Sequence, residues 1–299
     1  MKAAFLQAYG DVDQFRVEDA PEPPAGPGQV LIKVAVSGLN PVDLYVRQGY
    51  MAKMVPVELP AVIGVDAAGT VEAVGPGVTG FALGDRVIAH FPIGKGAHAE
   101  YAAAPAEGVA KLPANVSFEA GATLPLVALT GRQSVDALGV KAGDRVLVSG
   151  ALGAVGRAAV QYLRELGAVP VAGVRAERLA EGKALAGEAV DIDTPPATPS
   201  FDFAVSTAGP VAANAVKFVR DGGLLASAVQ TPDEANPGNR IKVAGIWGHD
   251  DPVQLQQIAD AAGRGDLVIP VAHAFPLAQL ADAHKALATS PRGKVIVTH

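Results

Sequence analysis

The sequence contains no cysteine. Disulfides, thiolate nucleophiles and cysteine-bound zinc are therefore excluded as sources of stability or chemistry. Long apolar runs are missing too. Glycine, proline or a charged residue interrupts each run well before the ~20 residues that a membrane span needs. The N-terminal stretch MKAAFLQAYGDVDQF has no extended apolar segment of the secretory kind, so a cytoplasmic location and no membrane partner are expected. Basic clusters are also lacking. With 24 Lys and Arg against 30 Asp and Glu, the net charge is -6, and nothing offers a track for a nucleic-acid backbone. What is abundant is apolar residues, 49% of the 299 positions, with charged residues at 18%. A chain of that length and balance is globular and long enough for two domains.

Two textures divide the chain. Up to about residue 116 it is β-rich. The short β-branched runs VLIKVAVSGLN, AAGTVEAVG and DRVIAHF are separated by stretches such as GPGVTGFALGD, the pattern of a small barrel or sandwich. From Ser117 the periodicity becomes helical through SFEAGATLPLVALTGRQSVDAL, with Ser117 as N-cap and Glu119 in the first turn. Strands and helices then alternate. Six apolar runs, at 145–150, 169–174, 188–192, 202–209, 223–229 and 241–247, have the continuous hydrophobicity of strands buried on both faces. Helix-length segments such as RAAVQYLREL and PVAANAVKFV lie between most of them. This is the α/β pattern of a doubly wound parallel sheet. The link DTPPATPS at 193–200 is too short and proline-rich for a helix. A helix over 277–288 and a strand over 294–298, returning to the first domain, close the chain.

The first of the six strands runs into SGALGAVG, residues 149–156. Gly150 permits a tight turn, Gly153 leaves room for a pyrophosphate against the backbone, and Gly156 lets the next helix pack closely. The backbone of Leu152, Gly153, Ala154 and Val155 then faces the phosphates, with the helix N-terminus supplying free N–H groups and a positive dipole end. Ala151 stands at the first consensus glycine, so the motif alone is also compatible with a structural turn. Its place at the head of a six-strand run favours a dinucleotide. Nineteen residues after Gly156, where NAD-binding folds carry a carboxylate, stands Arg175, followed by Arg178. A guanidinium bonds a ribose 2′-phosphate where a carboxylate would repel it. NADP(H) is the expected cofactor, unless Arg175 is merely a solvated surface residue.

Together the pieces GLNPVDLYVRQG (38–49), GVDAAGTVEAVGPGV (64–78), LTGRQSV (129–135), SGALGAVG and GKVIV (293–297) resemble the zinc-independent quinone oxidoreductases of the medium-chain dehydrogenase/reductase superfamily. The resemblance spans residues 2 to 298. It implies a GroES-like, barrel-type substrate domain built from 1–116 and 266–299, with a Rossmann domain over 117–265 inserted into it. Zinc-dependent relatives carry Cys at the position of Asn40 and G-H-E where this chain reads GVD at 64–66. Val65 then replaces the histidine ligand, the third ligand position falls near Leu126, and the cysteine-rich structural lobe is missing. The six histidines show no metal-ligand spacing. No metal is expected.

The resemblance also implies site roles. Asn40 is expected at the nicotinamide ribose or substrate, Tyr45 as donor to a substrate carbonyl, and Asp43 as orienter of the loop or of Arg47. The alternative for Asn40 to Asp43 is a turn held by local hydrogen bonds. Thr130, read as opening the first helix of the cofactor domain, is expected near the diphosphate or nicotinamide, or else packed in its helix. Ala208 and Gly209 end the fourth strand beside a ribose. Backbone groups of Ile246 and Trp247 are expected at the carboxamide, although Trp247 fits a core or a subunit contact equally well. Lys294 reaches a cofactor phosphate or ribose, or is a solvated strand end. The tyrosine that some members place near the adenine is replaced here by Ile192 or Asp193.

The expected function is an NADPH-dependent, metal-free reductase of quinones or other α,β-unsaturated carbonyls. An enoyl-thioester reductase and a non-catalytic NADPH-binding structural or sensor protein are the alternatives. The apolar sixth strand, IKVAGIW, is expected at a sheet edge that pairs with a second copy to form a homodimer.

Overall fold

A computed structural model describes residues 1–299. The chain forms two compact units, Met1–Leu126 with Asp250–His299, and Val127–His249. No helix is long and apolar enough to cross a membrane.

The first unit is mostly antiparallel β-structure. A three-stranded sheet joins β1 (Lys2–Leu6) to β2 (Phe15–Asp19) on one side and β4 (Ala61–Val62) on the other. The larger sheet is built around β3 (Gln29–Gly38), with β5 (Asp66–Val74), β6 (Arg86–His90), β7 (Tyr101–Pro105) and β8 (Val109–Lys111). Two strands from the far end of the sequence, β15 (Val271–Pro276) and β16 (Lys294–Thr298), complete it. β16 lies between β15 and β3, pairing Val297 with Ser37 in antiparallel register. The strand expected to return from the C-terminal segment therefore does so. Helix α1 (Pro41–Arg47) follows β3 directly, started by Pro41, whose fixed φ suits a first helical position.

The second unit is a six-stranded parallel sheet. Its strands are β9 (Arg145–Ser149), β10 (Val169–Val174), β11 (Glu188–Asp191), β12 (Phe201–Ser206), β13 (Val219–Ser227) and β14 (Lys242–Gly245), in the order β11-β10-β9-β12-β13-β14. That order reverses at β9, as in the dinucleotide-binding doubly wound fold, where ligands lie outside the carboxyl ends of the strands. Helices α4 (Ala154–Glu165), α5 (Leu179–Ala186) and α6 (Ala212–Phe218) follow β9, β10 and β12. All six expected strands are present, and no helix occupies the link after β11. Val146, Leu147 and Val148 of β9 are fully buried, which is why its sequence shows no alternation.

Two features differ from the expectations. The helical stretch after Ser117 is not continuous. The Ser117 hydroxyl accepts from the Ala120 N–H and caps α2 (Phe118–Gly121), but a new helix, α3 (Pro125–Asp136), begins at Pro125. Proline has no N–H and pushes its predecessor away from helical angles, so the run breaks there. The boundaries between the units fall at 126 and 249 rather than at 116 and 266. Helix α7 (Pro252–Arg264) has an Asp251 cap, a left-handed Gly265 stop and a buried face of Leu255, Ile258 and Ala259. It packs against β8 of the first unit. The last helix, α8 (Leu280–Ala288), follows a short 3-10 turn within the expected range.

Candidate active site

In the second unit the glycine-rich stretch forms the turn from β9 into α4. Gly150 has φ +76°, a conformation that an L side chain resists. A Cβ there would also lie 2.6 Å from Thr207 Oγ1 and 2.8 Å from Ala208 Cβ. The two sequence neighbourhoods thus meet. Thr207 Oγ1 donates to the Ser149 carbonyl at 2.9 Å, and its N–H reaches the same oxygen at 3.1 Å. Thr207 fastens the end of β12 to the loop; its neighbours Ala208 and Gly209 are the residues the sequence places beside a ribose. Ala151 is fully buried in the core beneath the loop, which explains why alanine serves at that consensus position.

Gly153 is the N-cap of α4 with φ -74° and ψ 167°, and no cap side chain bonds to the helix end. A Cβ at Gly153 would meet only the Gly150 oxygen at 3.3 Å. The N–H groups of Ala154, Val155 and Gly156 have no acceptor within the helix. This end of a 12-residue helix can therefore receive a diphosphate through three donors and a positive dipole. The residues present fit a dinucleotide.

The basic residues expected beyond β10 have carboxylates beside them. Arg175 Nε lies 3.9 Å from Asp193 Oδ2, with both side chains about half exposed. Arg178 forms a forked pair with Glu181, Nε to Oε1 at 3.2 Å and Nη2 to Oε2 at 2.6 Å. Asp193 comes from the helix-free link after β11, and Ile192 beside it is core, 1% exposed. Thr130 is buried in the middle of α3 rather than opening a helix, because that helix starts at Pro125. The Ile246 N–H donates to the Ser227 carbonyl at 2.8 Å, while Trp247 is 59% exposed.

The first unit holds a buried polar cluster around the start of α1. Asn40, Asp43, Asp66 and Lys294 are each at most 5% exposed. Asp66 is the hub. Its Oδ1 accepts from the Leu126 N–H at 2.9 Å, and its Oδ2 accepts from Asn40 Nδ2 at 2.8 Å and Lys294 Nζ at 3.4 Å. Lys294 Nζ also donates to Asn40 Oδ1 at 2.6 Å. Both polar atoms of the Asn40 side chain are thus engaged. Burial pulls the Lys294 ammonium below its ordinary range, against the attraction of Asp66 and Asp43. Lys294 is turned inward and is not a solvated strand end. Nearby, His90 Nδ1 and Asp250 Oδ1 lie 2.6 Å apart. Burial opposes protonation of His90, but Asp250, Asp66 and Asp43 together hold it above its ordinary value.

Asp43 orients the loop and not Arg47. Its Oδ2 accepts the Asn40 N–H at 2.7 Å, whereas Arg47 Nη1 donates to the Gly10 carbonyl and Asp11. Burial raises the Asp43 carboxyl to about 7, the Asn40 N–H opposes this, and Asp66 adds to it. The native state therefore holds a proton that the unfolded chain releases near its ordinary 3.8. The group's contribution is present at low pH and is lost as pH rises through about 7. Asp43→Asn keeps an acceptor for Asn40 and removes the titration. It is expected to gain roughly 1–3 kcal/mol relative to wild type between pH 5 and pH 8, read by denaturant unfolding at both values. Tyr45, one turn from Asn40, is 50% exposed and its hydroxyl bonds to no other group of the protein. Asp66, Asp250 and Thr207 were absent from the sequence-derived candidates.

A parallel sheet reversing at β9, with an uncovered glycine turn at the switch point, defines a dinucleotide-binding fold. Residues 26–114 match the family model described as "Alcohol dehydrogenase GroES-like domain", and residues 166–297 match "Zinc-binding dehydrogenase". Human quinone oxidoreductase is 40% identical over 169 residues, 56% of this chain and 50% of that protein. The chain spans about half the length of the curated quinone oxidoreductases it matches. A crystal structure of an NAD-dependent alcohol dehydrogenase is 30% identical, with a TM-score of 0.88 over 100% of both chains. A mycobacterial protein solved in complex with NADPH is 28% identical, with a TM-score of 0.82 over 100% of both chains. The chain belongs to the medium-chain dehydrogenase/reductase superfamily.

Proposed function

We propose that the chain is an NADPH-dependent reductase that requires no metal and delivers hydride to a quinone or another α,β-unsaturated carbonyl. The observation that carries this reading is the uncovered start of α4 at Gly153, with arginines in and beyond its first turn. Backbone donors there favour a diphosphate, and guanidinium groups favour a phosphorylated ribose. The mycobacterial relative bound to NADPH supports the same nucleotide, and human quinone oxidoreductase supports the acceptor class. A bound reduced nicotinamide supplies the hydride.

The metal-free part rests on donor chemistry. No group of three His, Cys, Asp or Glu is placed to hold a metal. Asp66, the carboxylate at the centre of the polar cluster, is already engaged by Leu126, Asn40 and Lys294. Negative charge developing on a substrate oxygen must then be met by hydrogen-bond donors. The Tyr45 hydroxyl is accessible and supplies one. Asn40, 1% exposed and held at both amide atoms, acts as a positioning residue that fixes the chain between β3 and α1.

A screen of NADPH oxidation against quinones, enones and an enoyl thioester tests the proposal. Oxidation is expected with a quinone or an enone. Tight NADPH binding without oxidation by any acceptor would instead favour a nucleotide-binding protein without turnover. We also propose a homodimer through β14, which pairs only with β13 and carries the exposed Val243. A monomeric mass in solution would exclude it.

A further inference from the structure

Three arginines stand near the phosphate turn of the second unit, and their partners differ. Arg178 is forked onto Glu181, and Arg175 faces Asp193. Arg157, in the first turn of α4, is different. Its Nε donates to the Leu152 carbonyl of the glycine turn at 3.2 Å, and its two terminal nitrogens bond to nothing in the protein. The Nε bond fixes the base of the side chain on the loop and leaves the planar fork presented. A fork of two N–H groups matches two oxygens of a phosphate.

We infer that Arg157 reads the ribose 2′-phosphate, and so sets the preference for NADPH over NADH. The inference rests on the NADPH reading above and deepens it. The position suits the task. Arg157 is anchored to the turn that receives the diphosphate and is within electrostatic reach of Arg178, which follows β10. The ribose must lie between those two places. Partial burial, then repulsion from Arg178, lower the Arg157 pKa, and Glu181 only partly relieves this. Two guanidinium groups that repel one another, a repulsion that Glu181 only partly offsets at Arg157, are relieved by a dianion. Arg178 would have to leave Glu181 to bind the same phosphate, and Arg175 is half exposed with no bond that fixes its side chain on the turn, whereas Arg157 is already anchored there and gives up nothing.

Calorimetric titration with NADPH and with NADH separates the possibilities, using wild type, Arg157→Gln, Arg157→Lys and Arg175→Ala. Wild type is expected to bind NADPH more tightly. Arg157→Gln should weaken NADPH binding about ten- to a hundredfold and leave NADH unchanged. Arg157→Lys should recover part of the loss, and Arg175→Ala should change the ratio less. Unchanged NADH binding also shows that the variant is folded. If wild type prefers NADPH and Arg157→Gln keeps the full preference, the inference fails while the cofactor reading stands. If Arg157→Gln weakens both nucleotides equally, Arg157 only supports the Leu152 turn and the inference fails. If wild type binds NADH as tightly as NADPH, the cofactor reading itself falls and takes the inference with it.

Discussion

Replacing Asp66 with alanine is expected to destabilise the first unit by about 3–5 kcal/mol. The reason is not the loss of one ion pair. Asp66 accepts from a backbone amide at Leu126, the Asn40 amide and the Lys294 ammonium, and it is fully buried. Removing it leaves the Leu126 N–H and one Asn40 amide N–H without acceptors, and leaves the buried Lys294 ammonium without its counter-charge, held only by the Asn40 oxygen. A buried charge stripped of its partner costs far more than the intact pair contributes. The double variant Asp66→Ala with Lys294→Met should therefore be more stable than Asp66→Ala alone. Denaturant unfolding, with hydrogen exchange at β3 and β16, measures the coupling. If the double variant is no more stable than the single one, the orphaned ammonium is not the source of the loss.

The glycine turn yields a second large effect, best seen as a contrast. Gly156→Val is expected to destabilise the second unit by roughly 1–3 kcal/mol or more and to abolish nucleotide binding. A Cβ there would overlap the Gly150 carbonyl oxygen and lie 2.7 Å from Ala151 Cα, so α4 must move away from β9. Gly153→Ala should behave differently. Its Cβ meets one atom at 3.3 Å and otherwise enters the space before the helix end. Stability should change by less than about 1 kcal/mol, while NADPH affinity falls at least about tenfold. Thermal unfolding paired with NADPH titration distinguishes a packing glycine from one that admits a ligand. Equal losses of stability in both variants would show that the whole turn is structural.

Much of the second unit was legible in the sequence, for a physical reason. Strands covered on both faces carry unbroken apolar runs, and Val146–Val148 and Val171–Ala172 show this plainly. The closing strand over 294–298 was equally clear. Helix α7 shows where legibility stops. Asp251 and Gly265 mark its ends and its apolar stripe marks a buried face, but nothing local says that the face meets β8. The polar cluster was hidden for the same reason. Asp66 is a single carboxylate in the apolar run VIGVDAAGTV, and its partners lie 26, 60 and 228 residues away. Arg175 looked unopposed because Asp193 reaches it only once the link after β11 has turned back. A carboxylate inside an unbroken strand pattern was the available signal for the hub. The burial cost of such a group requires partners, even when the sequence cannot name them.

The place of β16 has a consequence for how the protein is made. The last residues of β3, Val36–Gly38, cannot pair on the edge that β7 leaves open, and Asp66 and Asn40 cannot receive their cation, until residues 294–298 have been synthesised. Residues 127–249 contain all six strands of their own sheet and have no such dependence. During translation the middle of the chain can therefore complete its sheet first. The N-terminal 126 residues, although made earlier, must meanwhile wait with an open strand edge and an unfinished polar core. A stalled or prematurely ended translation product would expose that edge, making it the substrate on which chaperones and aggregation compete.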